Sequence, residues 1–467
     1  MAEHLTSPAG EALTDLANAD RLVRAHGVRL CYVDSWRRWL VWDGRRWAPD
    51  VVREIDALAQ TTLRALVAEA NAREDDKERR ALIEHALRSE SGPRLEWMVK
   101  LARSALARPP GAFDPDPWAL NLLSGTMDLR GGAVREHRRE DLITKLAPVA
   151  YDPTAAAPRW ERFVLEIMGG DHALADYLRR VVGYALTGDT RHHLFFLLYG
   201  TGANGKSTFL ETLRALLGDY ACKAAFDTFL ATKSAERGIR NDIRRLAGAR
   251  MVTAIEAEEG RRFDEPLLKE LTGGDTVAAR FLYQEHTEFV PQLKLFLAAN
   301  HKPSVWGTEH AFWRRLRLVP FTETFEGARR DEGLKDALRT ELPGILNWAL
   351  AGCREWQRRG LEEPEPIAAA TRAYQSEQDV VGRFLAECTT RSGRVATKAL
   401  YEAYTRWAEE AGADALGARR FSERLRERGL GNYKSNGTRF WRPLELLGQV
   451  PAADPEAETR LALEGGA

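Results

Sequence analysis

The segment at residues 200–207 combines glycines, a lysine and a hydroxyl in a fixed spacing, and it reads Gly200-Thr201-Gly202-Ala203-Asn204-Gly205-Lys206-Ser207. This is the pattern of a phosphate-binding loop, in which glycines let backbone N–H groups close around a phosphate. Lys206 would reach the β- and γ-oxygens, and the Ser207 hydroxyl would ligate Mg²⁺. A chance glycine-rich turn is the alternative. An apolar run before the loop and a helix-like stretch from Thr208 after it favour a site for ATP and Mg²⁺.

A phosphate loop also needs an acid on a neighbouring strand end, which holds the metal and polarises water. The apolar run at residues 251–255 is followed by Glu256, with Glu258 close behind it. We interpret Glu256 as the catalytic acid that also binds the metal, and Glu258 as the residue that activates water. A cluster of glutamates at a strand end is also typical of a solvated loop, which is the alternative.

An asparagine and a group of arginines complete the expected chemistry. Asn300 follows the apolar run at 294–299, where the carboxyl edge of a sheet would meet the γ-phosphate and the attacking water. Arg314, Arg315 and Arg317 surround the start of the next run, and guanidinium groups suit a transition state whose charge spreads over phosphoryl oxygens. A turn asparagine and basic surface residues are the alternatives.

The elements that must position these side chains are short apolar runs separated by loops and helices, at residues 194–199, 251–255, 294–298 and 316–321. Such runs suit buried strands of a parallel or mostly parallel sheet. Helical stretches are expected at 160–186 and 334–359. The fold class is therefore multidomain α/β, with a phosphate-loop ATPase core over residues 151–330.

Residues before this core have their own pattern. Residues 28–47 are rich in aromatic side chains around Asp43-Gly44, a dipeptide that favours a hairpin turn. Residues 53–107 show helical periodicity. Because proline-containing breaks follow, we expect a mixed α/β domain over residues 12–150.

After the core, a helical segment and linker are expected at 331–390, and residues 391–446 predict two amphipathic helices followed by a two-stranded ribbon. This order suggests a DNA-binding winged helix. From 419 to 442 the sequence has eight basic and two acidic residues, so 8 − 2 = +6, and Arg420, Arg424 and Lys434 are candidate DNA contacts. A surface helix with ordinary Arg–Glu pairs is the alternative. An acidic, disordered tail is expected at 447–467.

Composition narrows the class of protein. The 467 residues contain 68 basic and 68 acidic side chains, so no bulk charge holds a polyanion and any DNA binding must come from local patches. The four cysteines are too far apart in sequence for a local zinc site. The start has no signal-peptide pattern and no apolar run is long enough for a membrane span, so a cytoplasmic protein is expected.

The ordered set of motifs extends beyond the loop to Glu256-Ala257-Glu258-Glu259-Gly260, Leu268-Lys269-Glu270-Leu271-Thr272-Gly273-Gly274-Asp275, Asn300-His301-Lys302-Pro303 and Trp313-Arg314-Arg315. This set resembles superfamily 3 helicases of the phage/plasmid and poxvirus primase-helicase type. The resemblance covers most of residues 12–445. The Lys-x-x-Thr-Gly-Gly-Asp pattern is more specific than the phosphate loop alone.

The resemblance implies an AAA+-like core that assembles as a hexameric ring on DNA. Lys269 matches the family motif that leads into a β-hairpin, here at about residues 279–287. That hairpin would enter the central channel and present Arg280, Gln284 or His286 to single-stranded DNA.

The resemblance also assigns roles at the ATP site. It implies that Asn300 is the sensor residue and that Arg315 is the arginine finger acting on a neighbour's nucleotide. Arg314 and Arg317 compete for the finger role.

The favoured function is an ATP-dependent, ring-forming DNA helicase for replication of a phage, plasmid or other mobile element. It would act on single-stranded and forked DNA as a homo-hexamer, with a primase or polymerase as a partner. One alternative is an ATP-regulated initiator or loader without processive unwinding, and another is a primase-helicase. A primase needs carboxylates clustered around two metals, and the nearest spaced pair, Asp114 and Asp116, is flanked by prolines that favour a structural loop.

Overall fold

The structure, a computed structural model, describes residues 12–231, 241–255, 261–280, 286–305 and 310–448. Glu256, Glu258, Gln284 and most of the expected acidic tail lie outside these residues. The chain divides into two compact units, the first formed by Met1–Pro303 with Arg314–Ala368 and the second by Ser304–Trp313 with Ala369–Ala467. It is a multidomain α/β protein.

The first unit begins with a three-stranded antiparallel sheet and four helices. In chain order these are α1 (Asp15–His26), β1 (Leu30–Val33), β2 (Arg38–Trp42), β3 (Trp47–Pro49), α2 (Glu54–Asn71), α3 (Asp76–Ser89) and α4 (Gly92–Ala105). The predicted hairpin is confirmed as β2 and β3, since the Asp43 carboxylate accepts the Arg45 and Arg46 N–H groups at 2.8 Å and Gly44 has φ 93°. The helices and sheet enclose one apolar core.

A second antiparallel sheet follows, formed by β4 (Ala119–Leu122), β5 (Gly125–Asp128) and β6 (Val134–Arg135). Its strand β4 is bound directly to the following part of the chain. The Tyr220 hydroxyl accepts the Asn121 N–H at 3.1 Å, and the Arg250 guanidinium donates to the Ala119 carbonyl at 2.7 Å. The expected boundary near residue 150 therefore lies inside one compact unit.

The central part of the chain alternates strands and helices. In chain order these are α5 (Pro158–Ile167), α6 (His172–Ala185), β7 (Phe195–Tyr199), α7 (Lys206–Leu217), β8 (Ala221–Lys223), α8 (Asn241–Arg244), β9 (Met251–Ile255), α9 (Glu265–Gly273), β10 (Val277–Arg280), β11 (His286–Phe289), β12 (Lys294–Ala299), α10 (His310–Trp313), β13 (Leu316–Pro320), α11 (Leu334–Thr340) and α12 (Leu342–Arg359). Of these, α10 belongs to the second unit.

Five of these strands form a parallel sheet in the order β13-β7-β12-β9-β8. The four predicted apolar runs are confirmed as β7, β9, β12 and β13. Every residue of β12 is buried, as the continuous apolar pattern requires for a strand covered on both faces. The edge strand β8 is too short and too polar to have been predicted.

Two predicted helices are each divided in the structure. The stretch expected at 160–186 is broken between α5 and α6, because Gly169 and Gly170 adopt φ values of 63° and 82°. The stretch expected at 334–359 is broken between α11 and α12, where Pro343 lies in the first turn of α12. The Glu341 carboxylate at this break accepts the N–H groups of Arg159 and Trp160 at 3.1 and 2.9 Å, which fixes the start of α5.

The second unit continues with α13 (Glu365–Gln378), which starts in the first unit, and then α14 (Val380–Cys388), β14 (Thr389–Thr390), β15 (Val395–Ala396), α15 (Thr397–Glu410), α16 (Ala418–Glu427), β16 (Gly431–Ser435), β17 (Thr438–Arg442) and β18 (Glu445–Leu446). Strands β15, β17 and β16 form one antiparallel sheet. The apolar core of this unit contains Phe384, Tyr404, Phe421 and Trp441. The expected two helices and ribbon are confirmed as elements, while their interpretation as a winged helix stays a prediction.

Candidate nucleotide site

The glycine loop, residues 200–205, connects the carboxyl end of β7 to the first residue of α7. Gly202, Ala203 and Gly205 have φ values of 114°, 45° and 84°, so the loop turns through the left-handed region at three positions. Gly200 has no room for a side chain, since a Cβ there would lie 2.2 Å from the Phe321 carbonyl oxygen. The sequence pattern of glycines is thus matched by the backbone conformation.

Lys206 is held at the carboxyl edge of the sheet. Its Nζ donates to the Gly200 carbonyl at 2.6 Å, to Asn204 Oδ1 at 3.0 Å and to Asn300 Oδ1 at 3.1 Å. The residue is only 5% exposed. Because β7 and β12 are adjacent and parallel, the two strand ends bring Lys206 and Asn300 together, as the sequence predicted. These three contacts fix the position of the Lys206 ammonium beside the glycine loop.

The loop also presents backbone donors. Within the described part of the chain, the N–H groups of residues 201–205 donate no hydrogen bond. Unsatisfied donors that follow one another in a concave loop, next to the start of α7, form an anion-binding concavity. The residues present therefore fit a phosphate group.

A cleft of about 810 Å³ adjoins the loop, and residues 202–208 and Asn300 line it. Sequence reasoning missed the opposite wall, which contributes Arg159, Phe325, Arg330 and Lys335. The Phe325 N–H donates to the Ala203 carbonyl at 2.7 Å, which fastens this wall to the loop. No motif marks these residues in the sequence. The lining contains both basic and acidic side chains, so the fit to a phosphate depends on Lys206 and the backbone donors of the loop.

The metal side of the site is only partly described. Strand β9 ends at Ile255, which lines the cleft, and Glu256 and Glu258 follow outside the described residues. Ser207 lines the cleft, and its role as a Mg²⁺ ligand stays a prediction. Across the described ranges, no group of three or more His, Cys, Asp or Glu side chains could hold a metal ion. The two glutamates therefore stay predictions.

Arg315 lies at the opposite edge of the sheet from the glycine loop. Its carbonyl accepts the Phe195 N–H at 2.8 Å, at the start of β7, whereas the loop follows the end of β7. Five residues of strand separate the two edges, which is roughly 16 Å. Burial and the neighbouring Arg314 lower the pKa of Arg315, and Asp275 opposes this change. An arginine side chain cannot span that distance to the loop of its own chain.

Three family models match the chain. Residues 19–169 match a family described as D5 N terminal like, and residues 376–440 match one described as Poxvirus D5 protein-like. Residues 198–315, which contain the glycine loop, Asn300 and Arg315, match a family of unknown function.

Proteins of large DNA viruses are similar to this chain. "Putative helicase L207/L206" of Acanthamoeba polyphaga mimivirus is 25% identical over 319 residues, which cover 63% of this chain and 33% of that protein. "Putative primase C962R" of African swine fever virus is 24% identical over 211 residues, covering 44% and 22%. Together, these matches support a primase-helicase-like family. The chain spans about a third or less of the length of these relatives.

A solved structure has a similar fold. The apo structure of the NrS-1 C terminal region aligns with a TM-score of 0.52 at 10% identity, covering 91% of this chain and 98% of that one. At this identity the likeness concerns the fold alone. Among the described residues, no helix is long and apolar enough to cross a membrane.

The predicted DNA contacts in the first unit lie on α9, β10 and β11 or outside the described residues. Lys269 is half-buried on α9. The predicted hairpin is confirmed as β10 and β11, which pair from Val277 with Phe289 to Arg280 with His286. The side chains of Arg280 and His286, and all of Gln284, lie outside what the structure describes.

The remaining predicted contacts lie in the second unit. On α16, Arg420 is exposed, whereas the Arg424 side chain is only 17% exposed and pairs with Glu427 at 2.7 Å. Lys434 is exposed on β16.

Proposed function

We propose that this chain is an ATP-dependent, ring-forming DNA helicase that acts in replication of a virus, phage or other mobile element. The observation that carries the proposal is the buried Lys206 ammonium, held by Asn300 and the glycine loop beside an 810 Å³ cleft. The matches to the two D5-type family models and the names of the viral relatives support the choice of helicase.

The chemistry follows from the positions of this chain's own groups. The N–H groups of residues 201–205 would bind the β-phosphate, and Lys206 would neutralise charge on the β- and γ-oxygens. Asn300 would orient the attacking water, because its amide already contacts Lys206 at the carboxyl edge. Ser207 and Glu256 would hold Mg²⁺, which neutralises phosphate charge when bound.

Ring formation is supported by the place of Arg315. A guanidinium at the far edge of the sheet cannot serve the site of its own chain, but it can serve a site on a neighbouring subunit. Head-to-tail interfaces generate a ring when the rotation between subunits closes, and the proposed ring requires such a closure. The hairpin of β10 and β11 would then contact single-stranded DNA inside the ring.

The test is ATP-dependent unwinding of a forked DNA duplex by the full chain. Wild type should separate the strands and Lys206→Ala should not, because the phosphate charge is no longer neutralised. Lys223→Ala is the matched control, since Lys223 is exposed on β8 and is not part of the cleft lining. DNA-stimulated hydrolysis without strand separation would contradict the helicase proposal and favour the initiator or loader.

A further inference from the structure

The second unit contains a ribbon, β16 and β17, with two cations directly opposite each other near its tip. The strands are joined by Asn436-Gly437, whose φ values of 47° and 82° give a tight hairpin turn. In the register of the ribbon, Lys434 pairs with Arg439, one position before the residues that flank the turn. Both side chains are exposed.

Like charges directly opposite on an antiparallel pair are destabilising. Within residues 310–448 and the other described ranges, neither Lys434 nor Arg439 forms an ion pair with an acidic side chain. The ribbon therefore carries an unfavourable pair that its own unit does not compensate. An anion from outside the chain would relieve this repulsion.

The arginines of the adjacent helix are in a different situation. On α16, Arg419 pairs with Glu423 at 3.0 Å and Arg424 with Glu427 at 2.7 Å. Just beyond the helix, Arg428 pairs with Asp379. Much of the positive charge that the sequence assigned to this helix is therefore matched by acids, as the alternative of ordinary Arg–Glu pairs expected.

A third cation, Arg442, lies at the base of the ribbon, on the face opposite to that of Lys434 and Arg439. The Arg442 guanidinium lies 4.9 Å from the centre of the Tyr433 ring, which in turn stacks on Phe440 at 5.9 Å. Arg442 is exposed, and no acid among the described residues pairs with it. A guanidinium supported by an aromatic ring loses little freedom when it binds a phosphate.

Because side chains alternate along a strand, Arg439 and Arg442 face opposite sides of the ribbon. A single phosphate strand would meet one side only. A groove of duplex DNA has a phosphate backbone on each wall, and the major groove admits a two-stranded ribbon.

We propose that the ribbon inserts into a groove of duplex DNA, with Lys434, Arg439 and Arg442 contacting the phosphodiester backbones. This inference rests on the proposed DNA function and names the surface and the form of DNA that it takes. The DNA contacts of this unit are therefore expected on the ribbon rather than at Arg420 and Arg424 on α16.

The test measures binding of the full chain to a blunt-ended labelled duplex without nucleotide, so that no single strand is offered to the β10–β11 hairpin. Lys434→Gln and Arg439→Gln should each weaken binding about fivefold and lower the slope of log affinity against log salt by about 0.9. Arg442→Gln should behave in the same way. Arg419→Gln, which removes one paired charge from α16, should change affinity less than about twofold.

The stability of the ribbon variants distinguishes a loss of DNA contacts from a loss of folded structure. Lys434→Gln and Arg439→Gln should unfold at the same or a higher denaturant concentration than wild type, because the repulsion is removed. Loss of duplex binding together with loss of stability would overturn the proposal. Equal binding by the ribbon variants and wild type would also overturn it, as would weakened binding to single strands but not to duplex.

These failures differ from failure of the proposed function. A wild-type chain that binds duplex and hydrolyses ATP, with affinity insensitive to the ribbon variants, contradicts only the ribbon. A wild-type chain that binds neither duplex nor forked DNA contradicts the helicase proposal itself, and the ribbon proposal with it.

Discussion

Lys206 and Asn300 show how the site is tuned at the scale of single residues. The Lys206 ammonium is buried, and it donates to the Gly200 carbonyl and to the side-chain amide oxygens of Asn204 and Asn300. An amide oxygen orients the ammonium without placing a further negative charge next to the phosphate. This arrangement explains why an asparagine, and not an aspartate, suits the end of β12.

The choice of asparagine can be tested directly. Asn300→Asp should lower the rate of ATP hydrolysis roughly a hundredfold, because the new carboxylate pairs with Lys206 and repels the γ-phosphate. Steady-state hydrolysis at saturating ATP measures the effect. Asn71→Asp, an exposed change at the end of α2, should leave the rate unchanged. Hydrolysis at the wild-type rate by Asn300→Asp would show that Asn300 does not face the reacting phosphate.

At the scale of elements, the glycine loop depends on its contact with α5. A Cβ at Gly205 would lie 2.5 Å from Ile167 Cγ2 and 3.2 Å from Phe163 Cε2. Gly202 also has a positive φ, but nothing lies within 4 Å of a Cβ built there. Both positions have a positive φ, but only a side chain at position 205 would overlap α5. Comparing substitutions at the two positions therefore separates backbone strain from steric overlap with the helix.

Gly205→Ala should be more destabilising than Gly202→Ala by roughly 1–3 kcal/mol, because only the former overpacks the interface with α5. It should also weaken ATP binding, since the loop must shift to admit the methyl group. Chemical denaturation and binding of a fluorescent ATP analogue measure the two effects. Equal losses for the two variants would mean that α5 does not support the loop.

Sequence patterns predicted some elements well, for physical reasons. Strands β7, β9, β12 and β13 are short continuous apolar runs. Such runs are typical of strands that are buried on both faces of a sheet, so they were predicted from the sequence. The break between α5 and α6 was missed because Gly169 and Gly170 sit within an otherwise helical periodicity. Their N–H groups donate to the Glu166 and Leu165 carbonyls and end α5 locally, which hydrophobic periodicity does not record.

Sequence patterns likewise predicted some residues of the site and missed others. Lys206 and Asn300 follow strands, so parallel strand ends brought them together as expected. Arg330 and Lys335 reach the cleft from a distant segment with no motif. Arg428 pairs with Asp379, which is far away in sequence. The sequence pattern of the basic segment at 419–442 therefore could not predict that this charge is neutralised.

At the scale of the whole molecule, the first unit is joined across the boundary expected near residue 150. Arg250 is 3% exposed and donates to the Leu186 and Ala119 carbonyls at 2.6 and 2.7 Å, and its guanidinium lies 4.4 Å from the Tyr220 ring centre. Burial raises the pKa of Tyr220 to about 12, so the ring stays neutral beside the cation at physiological pH. Arg250 thus links β4 to the parallel sheet.

Arg250→Met should lower the free energy of unfolding by roughly 2–4 kcal/mol, because two buried carbonyls lose their donor. Arg245→Met is the control, since Arg245 is exposed on the same segment. Equilibrium denaturation of both variants provides the comparison. A loss no larger than that of the control would mean that β4 is not held to the sheet through Arg250.

The central claim is that each ATP site is completed by Arg315 of a neighbouring subunit. Its most direct measurement is ATP hydrolysis by Lys206→Ala, by Arg315→Ala and by an equal mixture of the two. Each variant alone should be inactive. In a mixed ring about a quarter of the interfaces combine an intact loop with an intact arginine, so the mixture should recover up to that share of wild-type activity. A mixture as inactive as its components, or an Arg315→Ala chain that hydrolyses ATP like wild type, would contradict the account.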